Sequence, residues 1–212
     1  MKLYGFYRSS AAYRVRIALN LKGLDYEQQG VHLRKREQSA PAYLDLNPQA
    51  LVPTLVDGDA ILTQSLAILE YLEETHPDPA LLPNDVSGRA RVRALAQIVA
   101  CDIHPLNNLR VLNYLTNDLG VSEDDKNRWY QHWIAKGLGS LEAMLAGHDE
   151  TGLFCHGDTP TLADICLVPQ VYNAQRYNCD LSGYPTVTSI NDACLKLPAF
   201  DAAVPEKQPD AE

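Results

Sequence analysis

No C-x-x-C pair and no zinc-type spacing links the five cysteines of this chain, Cys101, Cys155, Cys166, Cys179 and Cys194. That excludes a zinc-finger-like centre and a dithiol redox motif, and no metal site is expected. The count is odd, and the opening MKLYGFY carries no charged-then-apolar leader. The thiols are therefore read as reduced, small core residues of a cytoplasmic protein. Positive charge is also scarce: 18 Lys and Arg stand against 27 Asp and Glu, for a net charge of −9. A non-specific nucleic-acid binder needs the opposite sign. The one dense basic stretch, HLRKRE (32–37), reads as a solvated face, with the wall of an anion pocket as the alternative. No uncharged apolar run approaches the ~18 residues of a membrane span, so no membrane partner is expected. The G-x-S-x-G of a serine hydrolase is missing, and there is no internal repeat.

What is present is an ordinary globular composition, 46% hydrophobic and 21% charged over 212 residues. KLYGFY (2–7) reads as a strand, and residues 10–22 as a buried helix apolar nearly all round, closed by Gly23. YEQQGVHL (26–33) is a second strand, and residues 37–46 form a helix stopping at Asn47-Pro48. VPTLVDGDAILTQ (52–64) reads as two strands around Asp57-Gly58. SLAILEYLEETH (65–76) is a helix with Ser65 as N-cap. The order β-α-β-α-β-β-α fits one mixed sheet with helices on its faces.

HPDPALLPNDVSG (76–88) is a proline-rich linker. Beyond it the pattern is helical: 88–117, broken near His104-Pro105; 123–146; and 159–177, entered through Thr161 and Asp164 in the T-x-x-D form of a capping box. Leu95, Ile98, Val99, Leu162, Ile165, Leu167 and Val168 are the expected core of this half. The tail, VPEKQPDAE, reads as a partly ordered end. The fold class is thus an α/β domain over 1–80 followed by an all-α domain over 88–212.

The stretch FYRSSAAYRVRIALNLKG (6–23) places two hydroxyls where a helix begins. Ser10 at the N-cap satisfies one free N–H of the first turn. Ser9, just before it, is then able to aim its hydroxyl at a ligand. The plainer alternative is that both serines only cap. Arg14 and Arg16 lie in a buried helix and read as structurally paired. Asp164 reads as a cap rather than a catalytic acid.

Several spaced motifs together resemble the zeta-class glutathione transferases. RSSAAYRVRIALNLKG resembles the class signature, two serines, a cysteine and an R-V-R-I-A-L helix. LNPQALVPTL and LTQSLAILEYLEE resemble its glutathione-holding segments. DIHPLNNLRVL and GDTPTLADICLVPQVYNAQRY resemble its second-domain motifs. The likeness runs from about residue 2 to 190. It departs at Ala11, where the signature has cysteine, and at His104, where relatives often have glutamine. The missing cysteine removes a second thiol but leaves bound glutathione its role.

The resemblance implies a thioredoxin-like domain with a helical bundle, glutathione as cofactor, a homodimer, and a cis-alkene diacid as substrate. The family includes maleylacetoacetate and maleylpyruvate isomerases. It implies a thiolate held beside Ser9 and Ser10, and Val52-Pro53 as a cis peptide that turns Val52's backbone toward a ligand. Gln64 and Ser65 at a helix N-terminus suit glutathione's γ-glutamyl carboxylate. Gln38, His104, Asn108 and Arg110 are further glutathione contacts by the same match. Arg8 and Arg176, with Arg110, are the candidates for substrate charge.

Activating the sulfur cannot supply most of the rate. A free thiol of pKa about 8.5 is about 3% ionised at pH 7, and lowering it two units takes about 2.7 kcal/mol and raises the thiolate about 20-fold. With a Brønsted slope of about 0.4–0.5, the weaker nucleophile loses about 6–10-fold of that. Positioning and charge stabilisation must provide the remainder. Two other functions stay open at this point: conjugation or dehalogenation of small α-halo acids at the same site, and a binding module without activity.

Overall fold

The computed structural model describes all 212 residues, and they divide into two compact units, Met1–Leu81 with Leu195–Glu212, and Leu82–Cys194. In the first unit, β1 (Lys2–Gly5) leads to α1 (Ser10–Leu21) and β2 (Glu27–Gly30). Two 3-10 turns, Leu33–Lys35 and Glu37–Ser39, precede the short α2 (Pro41–Leu44). Then come β3 (Thr54–Asp57), β4 (Ala60–Thr63) and α3 (Ser65–Thr75). The four-stranded sheet has the order β2-β1-β3-β4. β1 and β2 are parallel, while β3 is antiparallel to both β1 and β4. This is the expected thioredoxin-like β/α arrangement.

Local boundaries differ from the sequence reading. β2 stops at Gly30 rather than residue 33, because the chain turns into the 3-10 pair. The helix expected over 37–46 is split, since Pro41 opens a new helix and has no N–H to continue the first. The β3–β4 turn is Gly58-Asp59, because Asp57 still pairs with Ala60.

The core of this unit is closed by buried charges that find partners. Arg14 and Arg16 are 2% and 1% exposed. Arg14 Nη1 donates to Ser65 Oγ (3.1 Å), tying α1 to α3. Lys22 Nζ, at the end of α1, donates to Glu73 (3.0 Å) and to the carbonyls of His76 and Pro79. Glu73 also accepts from Leu81 N–H at 2.9 Å. The proline-rich segment read as a linker is thereby pinned as far as Leu81, where this part of the unit ends.

The second unit is helical: α4 (Val86–Gln97), a π segment (Ile98–Ile103), a 3-10 turn (His104–Asn107), α5 (Leu109–Asn117), α6 (Glu123–Leu145), α7 (Leu162–Arg176) and α8 (Pro185–Leu195). The helix expected over 88–117 is in fact four segments. Pro105 denies the α-helical ladder a donor, and Asn108 restarts it as an N-cap. The wider π turn brings Ile103 against α6. A Cβ on Gly137 would lie 2.1 Å from Ile103 Cδ1, so α6 needs glycine there. Ile98 is only half-buried, while the other expected core positions are buried. Glu142 of α6 accepts from Thr186 N–H and Val187 N–H, at the positive end of α8.

The chain end corrects both the boundary at 88–212 and the reading of a partly ordered tail. Leu195–Glu212, with α9 (Pro198–Asp201), belongs to the first unit. Phe200, Ala203, Pro205 and Gln208 are buried. Asn20 donates to Ala199 O, and Arg16 to Ala203 O. The tail's closing stretch, VPEKQPDAE, is short of apolar residues, but Gln208 there donates to Ala202 O and Val204 O. No helix is long and apolar enough to cross a membrane.

Candidate active site

Register alone gathers the first unit's candidates. Tyr4 pairs with Thr54, and Thr54 with Thr63. Gly5 pairs with Gly30. The segments leaving these rows are Phe6–Ser9, Val52-Pro53, Gln64-Ser65 and the loop carrying Gln38. All four emerge at one end of the sheet.

Ser9, not Ser10, is the N-cap of α1. Its φ of −71° and ψ of 116° are extended, as a cap requires, and its Oγ accepts from Ala12 N–H at 3.2 Å. The turn before it closes through Ser9 N–H to Phe6 O, 2.8 Å. Ser10 is the first helical residue and is buried. Capping therefore does not free Ser9 of a structural duty. It uses an Oγ lone pair and leaves the hydroxyl proton to donate elsewhere. No acid occupies the first turn of α1, so no side chain of that turn offsets its partial positive charge. Arg8 is half-buried, its guanidinium 4.8 Å from the Tyr7 ring centre.

Ser65 is likewise not a cap. It is the first residue of α3, and its hydroxyl is taken by Arg14. The N-cap is Gln64, held at φ 66°, ψ 114° with no side-chain cap bond. A non-glycine residue there costs on the order of 1–3 kcal/mol, a strain typical of ligand-binding turns. Gln64 Nε2 instead donates to Gln49 Oε1 at 2.8 Å. With no side chain over them, the first-turn N–H groups of α3 stay open to an anion.

Val52-Pro53 is cis. The preceding carbonyl, Leu51 O, accepts from Tyr43 Oη (2.6 Å) and Asn47 Nδ2 (2.8 Å), which fixes the approach to Val52. Sequence reasoning missed both anchors. Asn47 was read only as a helix stop, and a lone tyrosine in a short helix gives no signal. Gln38 Oε1 is buried without a partner, an acceptor suited to a ligand N–H. The donor set is two open helix N-termini, a fixed backbone edge and an orphan acceptor. It fits a short, acidic, extended thiol peptide such as glutathione.

In the helical unit, Asn108 caps α5, its Oδ1 accepting from Arg110 N–H at 3.1 Å, and Arg110 is exposed. His104 is half-buried at the start of the 3-10 turn. Arg176 ends α7, exposed, with Nη1 donating to Asn173 Oδ1 (3.3 Å). Its guanidinium lies 5.9 Å and 5.6 Å from the ring centres of Tyr172 and Tyr177. Tyr177 stacks on Tyr130 at 3.5 Å. These tyrosines, which hold the arginine's surroundings in place, were not singled out from sequence. The spacing of Tyr172 and Tyr177 around Arg176 was the available signal.

Burial pushes the thiols of Cys155, Cys179 and Cys194 above their ordinary value, so they stay protonated at neutral pH. Cys101 is exposed and Cys179 only half-buried, contrary to the core role expected of every cysteine.

A family model for the glutathione S-transferase N-terminal domain matches residues 3–80. The probable maleylacetoacetate isomerase of Vibrio cholerae serotype O1 is 54% identical over 211 residues, covering 99% of this chain and 97% of that protein. The holo structure of maleyl pyruvate isomerase, a bacterial zeta-class glutathione transferase, is 52% identical with a TM-score of 0.98 over 100% of both chains. The maleylacetoacetate isomerase of Methylobacterium extorquens AM1, solved with bound malonate and GSH, is 45% identical with a TM-score of 0.97, again over 100% of both chains.

Proposed function

The chain belongs to the zeta class of glutathione transferases, and from that membership we propose that it isomerises maleylacetoacetate to fumarylacetoacetate with glutathione as cofactor. When bound, glutathione would supply a thiolate for reversible addition to the activated double bond, whose electron pair passes to the conjugated ketone oxygen and returns as the thiolate leaves, so that the carbon–carbon bond is single in between and free to turn.

The chain's own part is to bind and orient. The Ser9 O–H would donate a hydrogen bond to the sulfur while its lone pair keeps the cap, and the α1 N-terminus favours negative charge at the same point. The open N–H groups of α3 beside Gln64 and Ser65 receive the γ-glutamyl carboxylate. Val52 pairs its backbone with the peptide, and Gln38 accepts from it. In the helical unit, His104, Asn108 and Arg110 are assigned to glutathione. Arg176 is assigned to a substrate carboxylate, with Arg8 as the second cation. Ser10, buried as the first residue of α1, supports Ser9 rather than touching the sulfur.

The observation that carries this reading is the emergence of Ser9, Val52-Pro53, Gln64-Ser65 and the Gln38 loop at one end of the sheet. Its test is an assay of the cis diacid with and without glutathione. Conversion that requires glutathione and leaves its concentration unchanged supports the reading. Loss of one glutathione per turnover overturns it. Family membership also supports a homodimer, which sedimentation measures, and the five unbridged cysteines suit the reducing cytoplasm.

The match to maleyl pyruvate isomerase at 52% identity favours a second reading, in which maleylpyruvate is the preferred diacid. The two substrates differ at the ketone end, and a side-by-side kcat/KM decides between them.

A further inference from the structure

The turn that presents Ser9 is held by the other end of the chain. Tyr7, two residues before Ser9, is 3% exposed, and both of its backbone groups are bound by charged side chains. Its N–H donates to Asp210 Oδ2 at 2.9 Å, and its carbonyl accepts from Arg16 Nη2 at 3.0 Å. Arg16 Nε in turn donates to Ala203 O at 3.1 Å, so α1, the turn and the tail form one bonded set. The second oxygen of Asp210 accepts from Gln28 Nε2 of β2 at 3.0 Å. Its carboxylate thus brackets β2 and the turn after β1.

The seat for this carboxylate is shaped. A Cβ on Gly30 would lie 3.3 Å from Asp210 Cβ, so the last residue of β2 is one that lets the tail approach closely. On one side, Gln208 is buried and donates to Ala202 O and Val204 O. On the other, Glu212 pairs with His32 Nε2 at 2.9 Å. Pro209, Ala211 and Glu212 are exposed. The end of the tail therefore buries little apolar surface, and its polar bonds are directed at one peptide group.

We propose that Asp210 is a positioning residue for the isomerisation: by holding the Tyr7 amide, it fixes the turn that aims the Ser9 hydroxyl at the bound sulfur. The inference rests on the reading of Ser9 given above. A displacement of about 1 Å at a reacting group costs about 10²-fold in rate, so a small loosening of this turn affects turnover more than folding.

The test compares Asp210→Ala, Asp210→Asn and Ser9→Ala with the unaltered protein, at saturating glutathione. The readouts are kcat, KM for the diacid, the melting temperature, and the pKa of the bound glutathione thiol from its ultraviolet thiolate absorbance. Asp210→Ala lowers kcat about tenfold and raises the thiol pKa, with KM within about twofold. Asp210→Asn keeps an oxygen for Tyr7 N–H and recovers most of kcat. An Asp210→Ala enzyme with unchanged kcat and thiol pKa overturns the proposal, as does an Asp210→Asn enzyme as slow as Asp210→Ala. Should Asp210→Ala not fold, Gln28→Ala, which frees one carboxylate oxygen, is read instead. A two- to threefold lower kcat supports the bracket, and no change overturns it. Ser9→Ala separates the two readings. If it leaves the thiol pKa unmoved, the Ser9 reading fails. If it moves that pKa and Asp210→Ala does not, only the tail's role fails.

Discussion

The helices α1 and α7 both begin at a capping hydroxyl, yet one start is closed and the other open. At α7, Thr161 Oγ1 accepts from Ala163 N–H, while Asp164 accepts from Thr161 N–H (2.8 Å), Thr161 Oγ1 (2.9 Å) and Cys155 N–H (2.8 Å). Asp164 is 0% exposed, and its capping box is complete. At α1, Ser9 makes a single cap bond, no acid follows in the first turn, and the residue is half-buried. A hydroxyl at an N-cap is therefore no sign of function. What distinguishes α1 is that its first turn carries no acid of its own.

The sharpest way to break this contrast is to disturb the closed end. Asp164→Ala leaves the buried amides of Cys155 and Thr161 without an acceptor, at about 1–3 kcal/mol each. The expected loss is about 2–6 kcal/mol of folding stability, read from urea denaturation. A loss below about 1 kcal/mol would mean that α7 does not depend on its box. Ser9→Ala is the matching change at the open end. Its cap bond is worth about 1 kcal/mol of stability. Removing one donor to developing or resident negative charge costs about 10²–10³ in kcat, or about 2.7–4 kcal/mol. Ser10→Ala, at a buried position, should leave kcat within a few-fold. Equal losses for the two serines would defeat the assignment of Ser9.

The same two helix starts show how much was legible. The Thr161–Asp164 box was readable because its signal is local, two side chains three residues apart. The β-α-β-α-β-β-α order was readable for the same reason, from period and turn residues. Which serine caps α1 was not, because Ser9 and Ser10 offer the same chemistry and one residue of phase decides. Ser65 was misread as a cap because its partner, Arg14, lies 51 positions away. The tail was misread because Asp210 meets Tyr7 across 203 positions, and nothing in VPEKQPDAE marks that contact. Long-range polar closure leaves no periodicity in the sequence.

The opposite end of α7 gives a smaller expected effect. Arg176, exposed and set among Tyr172, Asn173 and Tyr177, is well placed to interact with the helix C-terminus, worth about 0.3–1 kcal/mol. If it also grips a substrate carboxylate, Arg176→Ala should raise KM for the diacid about tenfold, near 1.4 kcal/mol, with little change in kcat. Arg176→Lys should recover only part of that, since an ammonium lacks the planar fork. An unchanged KM would leave only the helix-end role.

Acid should separate the end of the tail from the α7 start by the sign of its effect, although the magnitude is the smallest considered. The Glu212 carboxyl is held below its ordinary value chiefly by its hydrogen bond to His32. Its contribution is fully present above the unfolded pKa, about 4.3, and is lost as pH falls through the lower folded value. At Asp164 burial pushes the carboxyl above the ordinary range, against the pull of its donors. There the folded chain binds the proton more readily than the unfolded one, so falling pH favours the fold through that window. The melting temperature of Glu212→Gln, subtracted from that of the unaltered protein, should therefore leave a difference that is present at about pH 5 and shrinks below about pH 4. The pair is exposed, so salt should reduce the difference further. A difference that persisted unchanged into acid would mean that the carboxylate of Glu212 does not hold the tail, and that the α1 turn relies on Asp210 and Arg16 alone.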